Sequence, residues 1–130
     1  MMTEKAKRKT MLFLKEFYTS AKVGNGGDSS NPNASDLDVP ITTSSSFAGN
    51  ESDENVIDFF AQFNNLEGET IREFGIFGSL PTDAEMANVG SGTWTTGNVE
   101  TVMLARINFA ALGPFVSGDV IDITLVAEVE

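Results

Sequence analysis

The stretch Val120–Glu130, "VIDITLVAEVE", decides the fold class. Ile121, Ile123, Leu125, Ala127 and Val129 point one way along an extended chain, while Asp122, Thr124, Glu128 and Glu130 point the other. A period of two residues sets one apolar face against a core and leaves a polar face in water, as a half-buried antiparallel strand requires. The alternation recurs upstream. In Val56–Phe63 the residues Ile57, Phe59, Ala61 and Phe63 share a face, with Val56 and Phe60 making the other face partly apolar. In Thr101–Phe109 one face carries Met103, Ala105, Ile107 and Phe109. Ile41–Phe47, rich in Thr and Ser, reads as a further strand near a sheet edge.

Ile71–Gly78, "IREFGIFG", poses a choice between packed sheet and reactive centre. Ile71, Phe74, Ile76 and Phe77 are core-type residues, Gly75 inside a strand signals a bulge or a close backbone approach, and Gly78 suits a turn that ends it. Arg72 and Glu73 are adjacent in sequence and so point to opposite faces, which argues against a pair between them. Arg72 is expected to meet an acid on a neighbouring strand. The stretch reads as sheet.

One segment has a different period. In Thr3–Ala21 the residues Met11, Leu14, Phe17, Tyr18 and Ala21 recur at steps of three and four, with Leu12 and Phe13 widening the stripe, which predicts an amphipathic helix. Two long loops complete the chain. "GNGGDSSNPNASDLDVP" has the composition of turns and is expected to lie on the surface without filling a core. "GSLPTDAEMANVGSGTWTTGN" shows no clear period and holds the single tryptophan, Trp94. The expectation is mainly β: one antiparallel β-sandwich-like domain over residues 1–130 with one N-terminal α-helix. Residues 1–22 form the basic helical segment, and residues 23–130 form an acidic β domain with long loops at about 24–40 and 78–99.

A chain of 130 residues can bury roughly two-thirds of the surface it exposes when unfolded, enough for a self-supporting core. Charge is divided sharply. Residues 1–22 hold six basic side chains against two acidic ones, net +4, whereas residues 23–130 hold two against 17, net −15. So acidic a body repels nucleic acid phosphates, and no nucleic acid partner is expected. Lys5, Lys7, Arg8 and Lys9 form a basic patch that reads either as a solvated helix face or as a docking surface for an acidic partner. No apolar run approaches the ~20 residues of a membrane helix, so no membrane association is expected. The run "MLFL" after the basic patch is broken by Lys15 and Glu16 and leads to no cleavage site, unlike a secretory signal.

The inventory is poor in catalytic groups. There is no His and no Cys, so the usual general base, the thiolate nucleophile and thiolate metal sites are missing, and the Ser and Thr hydroxyls have no imidazole to activate them. The pairs Glu67/Glu69 and Asp36/Asp38 sit in turn-like contexts and read as solvated acids. Asp28, Asp36 and Asp38, or Glu51, Asp53 and Glu54, offer oxygens for calcium but lack the Gly and terminal Glu of an EF-hand loop. "VGNGG" lacks the Lys-Ser/Thr of a phosphate-binding loop. The expectation is no enzyme, no cofactor and no metal. Trp94, flanked by Thr and Gly, reads as an assembly contact or a small satellite core.

Taken in order, "VGNGG…NPNASDLDVP", "FFAQFNNLEGETIREFGIFG" and "MLARINFAALGPFVSGDVIDITLVAEVE" resemble the attachment domain at the N-terminus of tailed-bacteriophage tail-fibre and collar proteins. Gly68–Phe77, close to that family's G-x-T-I-R-E-x-G-[IL]-F phrase, and the strand at Leu104–Arg106 carry most of the likeness, with "SGD" introducing the closing strand. The resemblance implies a virion structural protein, made in the host cytoplasm, whose partners are other virion proteins of tail, neck, baseplate or capsid and which assembles in multiple copies. Members of that family continue into a fibre shaft and tip, whereas this chain ends at Glu130, so an adaptor or fibre-attachment component is expected. The alternatives are a capsid decoration protein, or a β module gripping a glycan or calcium through the loops around Asp28–Asp38 and Thr93–Thr96.

Overall fold

Thr3 starts the first helix, its side-chain oxygen accepting the Ala6 N–H at 3.2 Å, and α1 runs over Glu4–Phe17. In the computed structural model, which describes residues 1–27 and 31–130, the chain then passes into strand β1 (Tyr18–Gly24) with no loop between. This corrects the helix expected to reach Ala21. Tyr18 and Ala21 are buried, but as strand residues: the β-favouring run Phe17–Thr19 pairs with a central strand, and that pairing outweighs the helical spacing. Gly78 permits the junction, since a Cβ there would collide with the Phe17 carbonyl.

The remaining elements are β2 (Pro40–Thr43), β3 (Ser46–Asp53), β4 (Val56–Phe63), β5 (Ile71–Pro81), α2 (Asp83–Gly90), β6 (Val99–Leu112) and β7 (Ile121–Glu128). They build two antiparallel sheets, of order β2-β1-β5-β6 and β3-β4-β7, stacked as a sandwich. The single strand expected over Ile41–Phe47 is two: the chain leaves the first sheet at Ser44, whose N–H donates to the Ala21 carbonyl, and enters the second at Ser45, whose N–H donates to the Gln62 carbonyl. β2 and β3 are both edge strands, as the Thr/Ser content suggests.

The core lies between β1 and β5 on one side and β4 on the other. Ile57, Phe59, Ala61 and Phe63 alternate inward from β4, as the sequence pattern predicts, and meet Val23, Ile71, Phe74 and Ile76. Phe63 and Phe74 join the sheets edge to face at 6.2 Å between ring centroids, and Met11 of α1 caps one flank. β5 continues to Pro81, so Gly78 does not end it, and the loop expected over 78–99 instead holds the end of β5, helix α2 and the start of β6. β5 pairs with β6 but not with β7, which hydrogen-bonds to β4 in the other sheet. A register shift between Ile76 and Phe77 breaks the alternation of β6, so that Met103 lies opposite Phe77 while Leu104 packs against the core.

Candidate functional site

The residues singled out in "IREFGIFG" divide between two faces of β5. Phe74 and Ile76 enter the sandwich, while Glu73, Gly75 and Phe77 face the opposite side, where Gly26 and residues 36–39 fold over them. Glu73 is fully buried, and its carboxylate accepts three backbone N–H groups: Gly26, Asp38 at 2.8 Å and Val39 at 3.1 Å. A carboxylate with both oxygens engaged by backbone donors replaces the water it lost and fixes the segment that supplies them. Gly26 leaves room for this approach, since a Cβ there would collide with Glu73 Oε2.

Around this clamp lies a second, smaller packed layer. Leu37 is buried, and a Cβ on Gly75 would meet Leu37 Cδ2 and Phe77 Cε2 at 3.0 Å each, so the glycine marks a close approach as the sequence suggests. Lys22 lies over the Phe77 ring at 4.6 Å and pairs with Asp36 at 3.2 Å. Arg106 of β6, opposite Gly75, has a side chain only 4% exposed and pairs with Asp38 at 3.2 Å. Asn108, opposite Glu73, donates to the Gly26 carbonyl at 2.9 Å. Among residues 31–40 only Leu37 is buried, so this part of the loop lies on the surface as its composition suggests, with one leucine placed against a glycine of β5 to anchor it. Arg72 is exposed and has no ion pair among the described residues, so the acid-meeting arginine is Arg106.

The basic patch is partly occupied within the chain. Arg8 and Lys15 both reach Glu51, at 2.8 and 3.5 Å, and Lys7 pairs with Glu4 at 3.4 Å. The hydrogen bond from Arg8 holds the Glu51 carboxyl below its ordinary value, and bonds from Asn55 and Lys7 do the same for Glu4. Lys5 and Lys9 remain exposed and without an ion pair among the described residues.

A second glutamate organises the segment that holds Trp94. Thr82 caps α2, accepting the Glu85 N–H at 3.3 Å, and the Glu85 carboxylate turns toward the following loop. It accepts from Thr95 N–H at 2.7 Å, Asn98 Nδ2 at 3.0 Å and Asn88 Nδ2 at 3.2 Å. These bonds, that from Asn98 foremost, hold its carboxyl below the ordinary glutamate value. Trp94 itself is partly exposed. The sequence signal was present: Thr82-x-x-Glu85 is a capping pattern, and two buried glutamates on loop-holding duty are what the sequence reading missed.

The acids considered for metal or catalysis are dispersed or engaged. Asp36 faces Lys22, Asp38 faces Arg106, and Glu51 faces Arg8. No group of three or more acids able to hold a metal ion occurs among the described residues; Asp28 lies outside them. No helix among the described residues is long and apolar enough to cross a membrane. No family model, curated protein or solved structure matches this chain.

Proposed function

We propose that this chain is a structural protein of a tailed-phage virion, an adaptor or fibre-attachment component of tail, neck or baseplate that assembles in multiple copies and has no catalytic role. The observation that carries the reading is the convergence of the three sequence stretches behind the resemblance on a single clamp. Glu73 comes from "TIREFGIF", Asp38 and Val39 from "SDLDVP", and Arg106 from "MLAR". A pattern whose polar members are consumed in fixing a loop specifies shape, and an assembly part needs shape more than chemistry. Its partners are other virion proteins. Lys5 and Lys9, which no acid among the described residues engages, and the partly exposed Trp94 are the contacts proposed for them.

Mass spectrometry of gradient-purified particles tests this directly, with the chain expected at a constant ratio to the tail proteins. A variant combining Lys5→Ser, Lys9→Ser and Trp94→Ala is expected to fold with unchanged melting yet to be incorporated less. A chain abundant in the lysate but missing from particles would refute the reading.

A further inference from the structure

Of the chain's asparagines only Asn25 is followed by a glycine, and that pair sits at the Glu73 clamp. An Asn-Gly step is prone to deamidate, because the glycine has no side chain to hinder the reaction and adopts the backbone angles it needs. The glycine nitrogen attacks Cγ of the asparagine side chain, a new N–Cγ bond closes a succinimide ring, and the side-chain amide leaves as ammonia. Water then opens the ring at either carbonyl. The product is an aspartyl or isoaspartyl residue, with a water consumed and an ammonia released, and solvent is the only co-reactant.

Asn25 is exposed, so water and hydroxide reach its side chain, whereas Gly26, which supplies the nucleophile, is buried. That nitrogen is engaged. Its N–H donates to Glu73 Oε2, the Gly26 carbonyl accepts from Asn108 Nδ2 at 2.9 Å, and the Asn25 N–H donates to the Val39 carbonyl at 2.9 Å. Attack requires the nitrogen to lose its proton and turn the freed electron pair toward Cγ. Here the N–H direction, along which that pair would lie, runs into a carboxylate, and the charge on Glu73 opposes a second negative charge beside it. The peptide has no room to turn away, since even a Cβ on Gly26 would collide with Glu73 Oε2 and Asp38 Cβ.

We propose that Asn25–Gly26 is a deamidation site held closed by Glu73 and reactive only while the clamp is open. The reaction then makes the opening permanent. An isoaspartyl linkage adds a carbon to the backbone immediately before the Gly26 N–H and shifts that group out of register with Glu73, and either product puts a new negative charge one residue from the clamp. Glu73 thus holds a latch that opens in one direction. The inference rests on the geometry of the clamp and is independent of the virion reading.

Incubation of the purified full chain at mildly alkaline pH, natively and in guanidinium chloride, decides it, with position 25 read by peptide mass spectrometry and isoaspartyl-specific enzymatic methylation. Native Asn25 is expected to deamidate about tenfold or more slowly than in denaturant, because the native rate follows the fraction of molecules whose clamp is open. Glu73→Ala, its fold verified by circular dichroism, is expected to raise the native rate to that seen in denaturant. A measurement on the unaltered chain covers a Glu73→Ala variant that does not fold. At sub-denaturing guanidinium chloride, deamidation of Asn25 should rise together with hydrogen exchange of the Gly26 amide and ahead of exchange in β4. Equal native and denatured rates overturn the inference. So does a folded Glu73→Ala variant as slow as the parent chain, or deamidation that rises only with the global opening reported by β4.

Discussion

β4 and β7 carry the same alternating pattern, lie side by side in one sheet and are buried to different degrees. Every inward residue of β4 is shut off from water, while those of β7 are only half-buried. The cause is position. β4 has a strand on each side and the middle of the opposite sheet above it, whereas β7 is an edge facing another edge, β6. Alternation in a sequence thus states which face is apolar, and the neighbours decide whether that face becomes a core or a surface.

The largest effect that should separate the two regions is at Phe74. Truncation to Ala is expected to cost about 3–5 kcal/mol in urea unfolding, because the ring joins the sheets in the closed half. Glu73→Ala comes next, at about 3 kcal/mol, since it strands three backbone donors at a buried or part-buried site and frees Gly26, Asp38 and Val39. Phe109→Ala, on the open side, should cost only about 1–2 kcal/mol, part of its surface being in water already. Equal losses for Phe74 and Phe109 would erase the contrast.

The smallest effect is confined to the second loop. Glu85 titrates below its ordinary value of 4.5, so its hold on Thr95 and Asn98 is complete above that value and is lost as the pH falls through the lower folded value. Trp94 emission should therefore change only in acid, and Glu85→Gln should remove the change. A transition above the ordinary glutamate value would contradict the assignment.

How much could be read beforehand follows from the range of the forces. The mainly β class, the faces of β4 and β7 and the core roles of Phe74 and Ile76 were legible because alternation is local. The helix end was not: Tyr18 and Ala21 satisfy both a helical stripe and a strand, and only the partner Gly78–Phe74 stretch of β5 settles it. The clamp was hidden for a similar reason. Glu73 is an ordinary acid in the sequence, and it becomes a buried anchor through N–H groups contributed 34 to 47 residues away. The composition of the loop at 24–40 indicated its exposure, but not that Leu37 would be the one of residues 31–40 to be buried. Arg72 was the arginine expected to meet an acid, and only the fold shows that it is Arg106 that lies beside Asp38.

The central claim is a domain dry between β4 and β5 and open along β6 and β7, and residue-resolved hydrogen exchange at low and high protein concentration tests it most directly. The account predicts slow exchange in β4 and β5 at both concentrations. It also predicts that the amides at the free edges of β6 and β7 exchange quickly at both concentrations. Edge amides already protected in dilute solution, or fast exchange in the middle of β5, would contradict it.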